Sequence, residues 1–398
     1  MNIYDQIMKS SLPALLLMLL SVLALSLSPS EAKTVFRAGE DGYRIYRIPA
    51  VIKTANGHLL AFCEARQGGD ASEIDLVLKR SKDGGKSWGS LIVVQESSDF
   101  IKILGGRTKD ITIGNPAPVV DLLDPDHPGR IWLPFTLEND RVFVVSSDDH
   151  GATWSDEREI TKSVKKKGWG WYATGPVHSI QLQRGKHRGR LVIPCDHRVG
   201  KAGKDGGPLG AHAVISDDHG KTWKLGAVDD SYGDGLNANE TTVVELEDGT
   251  LYFNTRDQHG EAKGTRGAAL SKDGGKSFQS GSPDWKGFRP VAGVLDPPVV
   301  QCALLSAGKG LIVFSGPDEN GPTGKGRSDL RLRYSTDQAN NWKDGPLVHI
   351  GPAAYSDLVL VSEGTIGVLF EAGDKGQRSS YQRIEFKALP LKEVTGSK

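Results

Sequence analysis

The sequence has few of the residues that characterise disulfide-bonded, metal-binding or nucleic-acid-binding proteins. It contains only three cysteines, Cys63, Cys195 and Cys302, each in an apolar, strand-like run, and no pair has metal-ligand spacing. We therefore expect buried thiols, with neither a disulfide scaffold nor a metal or other cofactor. The 49 basic and 49 acidic side chains cancel, so the overall charge does not favour nucleic acid. Attraction for an acidic substrate would need a local cluster of positive charge.

Helical hydrophobic periodicity is also scarce. Short runs of β-branched and aliphatic residues alternate with Gly, Asp and Asn, and 49 glycines stand against 3 methionines. This composition is typical of an all-β protein.

The first 32 residues differ from the rest of the chain. Lys9 precedes a Leu-rich apolar run from Leu12 to Leu25, and the small residues Ser30 and Ala32 follow. The pattern predicts a secretory signal peptide over residues 1–32 and an exported protein. A membrane anchor is the alternative, but it would need about 20 apolar residues.

A turn glycine followed by an apolar run recurs along residues 33–398. The copies include NGHLLAFCEAR from Asn56 and DGTLYFNTR from Asp248, at intervals of 54 to 72 residues. The six glycines are Gly57, Gly129, Gly189, Gly249, Gly310 and Gly364. Six such units predict a single domain, a six-bladed β-propeller of four-stranded antiparallel blades.

A second repeat, S-x-D-x-G-x-[ST]-[WF], falls between these copies. It occurs from Ser81, Ser147, Ser216 and Ser271, and in degraded form from Ser335. Ser and Asp can bond their own backbone in a tight turn, Gly takes a positive φ, and the aromatic residue packs below. We interpret the repeat as a structural hairpin turn. A calcium loop is the alternative, but each copy offers too few spaced carboxylates.

The two repeats predict which edge of the propeller each loop occupies. In each unit, strand one runs into the turn glycine, strand two returns, and strand three runs to the S-x-D-x-G turn. The start of strand one and the end of strand two then share one edge, here called the opening edge, whereas both kinds of turn lie on the other, the turn edge. We also expect Thr34–Gly39 to supply the outer strand of the last blade and close the ring.

Ten polar residues fall on the opening edge in this scheme. They are Arg47, Arg66, Asp70, Asn115, His178, Glu240, Arg256, Arg327, Tyr355 and Glu371. The guanidinium groups of Arg47, Arg256 and Arg327 would repel one another at one channel mouth unless they shared an anion, and a ligand carboxylate could supply it. Separate surface arginines paired to local acids are the alternative.

Three of the ten could carry out covalent chemistry together. Tyr355 and Glu240 could act as nucleophile and base, because a carboxylate can accept the phenol proton during attack. Asp70, in the Gly-rich loop QGGDAS, could act as acid and then base. Taken singly, each has a structural alternative as a packed aromatic, a strand-end charge and a turn former.

The chain combines several longer motifs: YRIP from Tyr46, the S-x-D-x-G boxes, EARQGGDASEID, GNPAPVVD, NETTVVELEDGTLYFNTR, GRSDLRLRYS and YSDLVL. In this combination the sequence resembles bacterial and animal exo-sialidases. The resemblance covers essentially all of residues 33–398. The boxes also occur in non-enzymatic propellers, so the RIP arginine and the YSDL tyrosine are the more specific features.

The resemblance implies a role for most of these residues. Arg47, Arg256 and Arg327 look like the triad that holds the sialic acid carboxylate, and Glu371 like the acid that steadies Arg47. Arg66 is similar to the arginine near the C4 hydroxyl pocket. Asp70 looks like the acid/base, although Glu73 and Asp75 are close by. Tyr355 looks like the nucleophile and Glu240 its base.

The implied reaction is hydrolysis of terminal, α-ketosidically linked sialic acids with retention, without a metal or cofactor. We expect sialylated glycans as substrates, a monomer, no nucleic-acid partner and no stable membrane insertion after signal cleavage. A non-catalytic glycan-binding propeller and a trans-sialidase are the alternatives.

Overall fold

A computed structural model describes residues 31–201, 206–279 and 287–397. The predicted signal peptide lies outside the described residues except for its last two positions. Within the described part of the chain, no helix is long and apolar enough to cross a membrane.

The described residues form six antiparallel sheets of four or five strands arranged as a six-bladed propeller, which confirms the predicted fold. The first strand, β1 (Lys33–Arg37), belongs to the last blade. Blade 1 comprises β2 (Ile45–Lys53), β3 (Leu59–Arg66), β4 (Ile74–Ser81) and β5 (Ile92–Gln95). Blade 2 comprises β6 (Ile113–Gly114), β7 (Val119–Asp121), β8 (Arg130–Leu137), β9 (Arg141–Ser147) and β10 (Arg158–Glu159). Blade 3 comprises β11 (Trp169–Thr174), β12 (Ile180–Gln181), β13 (Leu191–Val199), β14 (Leu209–Ser216) and β15 (Lys224–Val228).

The second half of the ring follows the same plan. Blade 4 comprises β16 (Ala238–Glu245), β17 (Leu251–Asp257), β18 (Arg266–Ser271) and β19 (Arg289–Val291). Blade 5 comprises β20 (Ala303–Ser306), β21 (Ile312–Pro317), β22 (Leu330–Ser335) and β23 (Lys343–Leu347). Blade 6 comprises β24 (Ala353–Ser362), β25 (Thr365–Ala372), β26 (Arg383–Pro390) and β1. Short helices span Thr161–Val164 and Leu391–Thr395, with 3₁₀ turns at Ser97–Phe100 and Gly185–His187.

The ring closes as the sequence predicted. Strand β1 pairs with β26, for example Thr34 with Glu385. The first strand of the domain therefore completes the last blade and covers an edge that would otherwise be open. Apolar side chains form six buried clusters, one at each junction between adjacent blades.

The S-x-D-x-G turns have the expected structural role. In the first, Ser81 Oγ donates to Asp83 Oδ1 at 2.8 Å and accepts the Gly85 N–H at 2.8 Å. Gly85 has φ +90°, and a Cβ built there would lie 2.0 Å from the ring of Phe386 in blade 6. The turn thus brings backbone against a neighbouring blade, where only glycine leaves enough space.

Candidate active site

A pocket of about 320 Å³ opens where the inner strands begin. Eight of the ten predicted residues line it, and they come from every blade except the third. They are Arg47, Arg66, Asp70, Asn115, Glu240, Arg256, Arg327 and Tyr355. Glu371 lies directly behind Arg47. The blade register therefore brings together residues that are more than 300 positions apart.

Tyr355 is the point on which the three predicted triad arginines converge. The guanidinium carbons of Arg47 and Arg327 lie 5.1 and 5.6 Å from the centre of its ring. Arg256 Nη1 lies 3.3 Å from its hydroxyl oxygen. The three arginines are neighbours around one side chain, as a shared anion site requires.

The Tyr355 hydroxyl donates a short hydrogen bond to Glu240 Oε1. The other oxygen of Glu240 accepts from Arg256 Nη1 at 2.8 Å. Both Tyr355 and Glu240 are buried. Burial, reinforced by the Glu240 charge, raises the pKa of Tyr355 well above its ordinary value despite the nearby arginines. Tyr355 is therefore a neutral phenol at rest, already bonded to the group that can take its proton.

Glu371 fixes Arg47 and the backbone around it. Its Oε1 accepts from Arg47 Nε at 2.7 Å and from the Ile48 N–H at 2.9 Å, and its Oε2 accepts from the Tyr355 N–H at 3.1 Å. Ile48 has φ +61°, which is strained for a β-branched residue, and it lies in a register shift of β2. One fully buried carboxylate thus connects the start of blade 1 to blade 6.

Asp70 lies at the pocket rim beside two arginines. Its Oδ1 accepts from Arg66 Nη1 and lies 3.8 Å from Arg47 Nη1. Its side chain is 87% exposed. The surrounding pocket walls partly desolvate the carboxylate, which raises the pKa of Asp70, but the charges of Arg66 and Arg47 outweigh this effect and the pKa is lowered overall. These two arginines therefore favour the carboxylate form of Asp70.

Arg327 differs from the other two arginines of the predicted triad. Arg47 pairs with Glu371 and Arg256 with Glu240. Arg327 forms no ion pair within the described parts of the chain; its Nη1 donates to the Tyr381 hydroxyl at 3.1 Å and its Nη2 to the Val299 carbonyl at 3.3 Å. Two of the three arginines are therefore paired with local acids, as the alternative interpretation in the sequence analysis expects. The charge of Arg327 has no such ion-pair partner at the pocket.

The structure does not bring His178 into this pocket, so its predicted position is wrong. The inner strand of blade 3 begins at Trp169, nine residues before His178, because a break between β11 and β12 lengthens it. His178 is buried farther along the channel, where its Nδ1 lies 2.7 Å from Asp357 Oδ1. Burial lowers the pKa of His178, but Asp357 reverses the effect and the net shift is upward.

Several lining residues were missed from the sequence. Glu64 is buried, accepts from Arg66 Nε at 2.8 Å and from the Asn115 N–H at 2.7 Å, and so positions both. Glu64 and Arg66 are two apart on β3 and so share a face, a signal that could have found Glu64. Blade 3 contributes Trp171 and Arg198 to the lining, and the Tyr381 ring lies 3.8 Å from the Arg47 guanidinium carbon.

One cluster of potential metal ligands occurs in the described parts of the chain, away from this pocket. Oxygen and nitrogen atoms of Asp121, Asp124 and His219 lie within 4.8 Å of one another. His219 Nδ1 is 2.8 Å from Asp121 Oδ2, so a hydrogen bond between blades 2 and 3 accounts for that contact. None of the three residues lines the pocket.

Comparison with known proteins identifies the family of the chain. The model of the BNR repeat-like domain family matches residues 57–368. The chain belongs to this family. A sialidase of Bacteroides fragilis is 28% identical over 90% of this chain and 64% of its own length, and one of Micromonospora viridifaciens is 30% identical over 84% and 51%. The solved structure of the Hadza microbial sialidase Hz136 is 26% identical, with a TM-score of 0.73 over 91% of this chain and 69% of its own.

These findings confirm the resemblance to sialidases with BNR repeats. The chain spans about half to two thirds of the length of the two bacterial sialidases. Family membership accounts for the repeated boxes, while the pocket geometry described above carries the argument about chemistry.

Proposed function

We propose that this protein is an exo-α-sialidase that hydrolyses terminal, α-ketosidically linked sialic acids with retained configuration. The observation that carries the proposal is the contact of Tyr355 with Glu240, with three arginines around the same ring. The sugar carboxylate binds Arg47, Arg256 and Arg327, of which Arg327 has no acid partner in the described ranges. This places the anomeric carbon, which bears that carboxylate, next to the tyrosine hydroxyl.

In the first step, Asp70 donates a proton to the glycosidic oxygen as the Tyr355 oxygen attacks the anomeric carbon. Glu240 Oε1 takes the phenol proton, and the bond to the leaving sugar breaks. A neutral phenol can approach a carbon that bears a carboxylate, whereas a carboxylate nucleophile would be repelled. The products are a free aglycone, a tyrosyl-linked sialic acid and an ionised Asp70.

In the second step, Asp70 accepts a proton from water as the water oxygen attacks the same carbon. The Tyr355 oxygen leaves and recovers its proton from Glu240. Two inversions give net retention, and every group returns to its starting state. Asp70 suits both steps because the bound carboxylate offsets the arginines that lower its pKa. Asp70 therefore takes up a proton from solvent as the substrate binds, and this is the proton that it donates in the first step.

The test compares the wild type with Tyr355→Phe on a fluorogenic sialic acid glycoside. The variant keeps the ring but lacks the nucleophilic oxygen, so we expect a loss of kcat of more than about a thousandfold. Tyr334→Phe is the matched control, because it removes a hydroxyl that donates to the Thr395 carbonyl elsewhere. NMR of the first product formed should show the α anomer.

Three outcomes would contradict the proposal. They are a folded wild type without turnover, full activity in Tyr355→Phe, and an initial β anomer. Transfer would appear as a newly sialylated acceptor in place of free sialic acid.

We also propose export through residues 1–32 and a monomeric propeller acting on sialylated glycans. Sizing of the secreted protein and N-terminal sequencing test these two points.

A further inference from the structure

A second pocket, of about 690 Å³, adjoins the candidate active site. The two pockets share Arg327 and Tyr381. The remaining walls of the second pocket come from the loop before β22, the loop before β24 and the loop between β25 and β26. Arg327 therefore forms part of both pockets and can contact ligand groups in either.

All the charged side chains that line this second pocket are positive. Lys325, Lys375 and Arg378 join Arg327 there, and the lining includes no aspartate or glutamate. Lys325, Lys375 and Arg378 are exposed, and none of them makes a side-chain hydrogen bond or ion pair with another residue that the structure describes. Three unneutralised cations in one concave surface attract an anion.

The acids nearest to the lining residues in these loops are already engaged. Asp329, which does not line the pocket, is fully buried, and its carboxylate accepts the Thr323 N–H at 2.7 Å and the Gly351 N–H at 2.9 Å. Asp374 Oδ1 accepts from Arg383 Nη1 at 2.6 Å, and Glu319 Oε2 accepts the Gly326 N–H at 3.3 Å. Neither lines the pocket. The positive charge therefore faces solvent and any ligand that enters.

We propose that this pocket binds a negatively charged group on the sugar to which the terminal sialic acid is attached. The inference rests on the proposed sialidase activity. The carboxylate and the glycosidic oxygen of a sialoside are attached to the same carbon, so the next sugar starts beside the carboxylate that Arg327 binds. The charge of Arg327 also acts on Asp70, the proposed acid for that oxygen. A carboxylate on a second sialic acid and a sulfate ester share the required chemistry.

The test measures kcat/KM for three substrates that differ in the second sugar. One is an α2,8-linked disialyl lactose, one an α2,3-sialyl lactose with neutral galactose, and one its 6-sulfated galactose analogue. The perturbed protein is K325A/K375A/R378A. The matched control is K86A/K276A/K309A, which removes the same number of exposed charges at the turn edge and so reports any effect of net charge.

We expect the pocket variant to lose about tenfold in kcat/KM on an anionic substrate and less than about twofold on the neutral one. Exposed charges are individually weak, and three together give an effect of this size. The loss should shrink between about 20 and about 200 mM salt, because ions screen exposed charges. Loss with only one anionic substrate would identify whether carboxylate or sulfate is the ligand.

Two failures can be told apart. If the folded wild type cleaves none of the substrates, the proposed function fails and this inference fails with it. If it cleaves all three and the pocket variant treats them as the control variant does, the second pocket plays no part in substrate choice and only this inference is overturned.

Discussion

Replacing Glu371 with alanine should destabilise the whole propeller as well as the active site. Glu371 is fully buried, and its carboxylate accepts from the Arg47 side chain and from the N–H groups of Ile48 and Tyr355. Removing one partner of a buried ion pair leaves an uncompensated charge, which costs about 3–5 kcal/mol. At about 2.1 cal/mol/K of unfolding entropy per residue, a chain of 398 residues would lose about 4–6 °C in Tm.

Calorimetry or thermal denaturation followed by circular dichroism gives the measurement, and Asp148→Ala is the control. Asp148 forms two bonds with Arg130, both at 2.7 Å, but its side chain is 52% exposed. Exposed pairs contribute at most about 1 kcal/mol, so we expect a shift of about 1 °C or less. Equal shifts in the two variants would refute the argument from burial. The fraction of Glu371→Ala molecules that is folded should also show a raised KM, because Arg47 has lost the group that orients it.

Gly85→Ala should destabilise the protein by several kcal/mol, since its Cβ would meet the Phe386 ring, whereas Gly57→Ala, with a similar φ and no atom within 4 Å, should lose only the ~1–2 kcal/mol of backbone strain. Similar losses in denaturant titrations of both variants would argue against the close approach of the blades. For Asp70, activity requires the protonated acid and should fall as pH rises through its pKa. Since arginines lower that pKa in the free protein, the alkaline limb of kcat should lie at higher pH than that of kcat/KM; coincident limbs would contradict this.

The repeat in the sequence was sufficient to predict the ring. Turn glycines recur because each hairpin must reverse the chain, and this local requirement is visible without tertiary information. The repeat also set the strand directions, which brought eight distant polar residues to one edge. The closing strand could also be predicted, because without β1 the outer edge of β26 would be left unpaired, which is unfavourable.

The prediction was wrong where a blade departs from the repeat. The sequence predicts His178 on the opening edge of blade 3, but in the structure β11 and β12 are separate pieces and the inner strand already begins at Trp169. The same blade contributes Trp171 to the pocket, and the repeat gave no signal for it. Tyr381 was also missed, because it lies in a loop outside the repeated elements. Strand breaks and loop paths depend on packing between blades, which one repeat unit does not encode.

The sequence by itself determined the number of blades, their register and the chemical types gathered at the opening edge, because these follow from turn geometry and strand alternation. It also carried the prediction of export. Only the tertiary structure decided which arginines have acid partners. Arg47 and Arg256 are compensated by Glu371 and Glu240, and Arg327 is not, because ion pairing depends on distances of a few ångströms between blades. Arg327 therefore brings to the candidate active site a positive charge that no ion pair in the described residues neutralises. It also lines the second pocket.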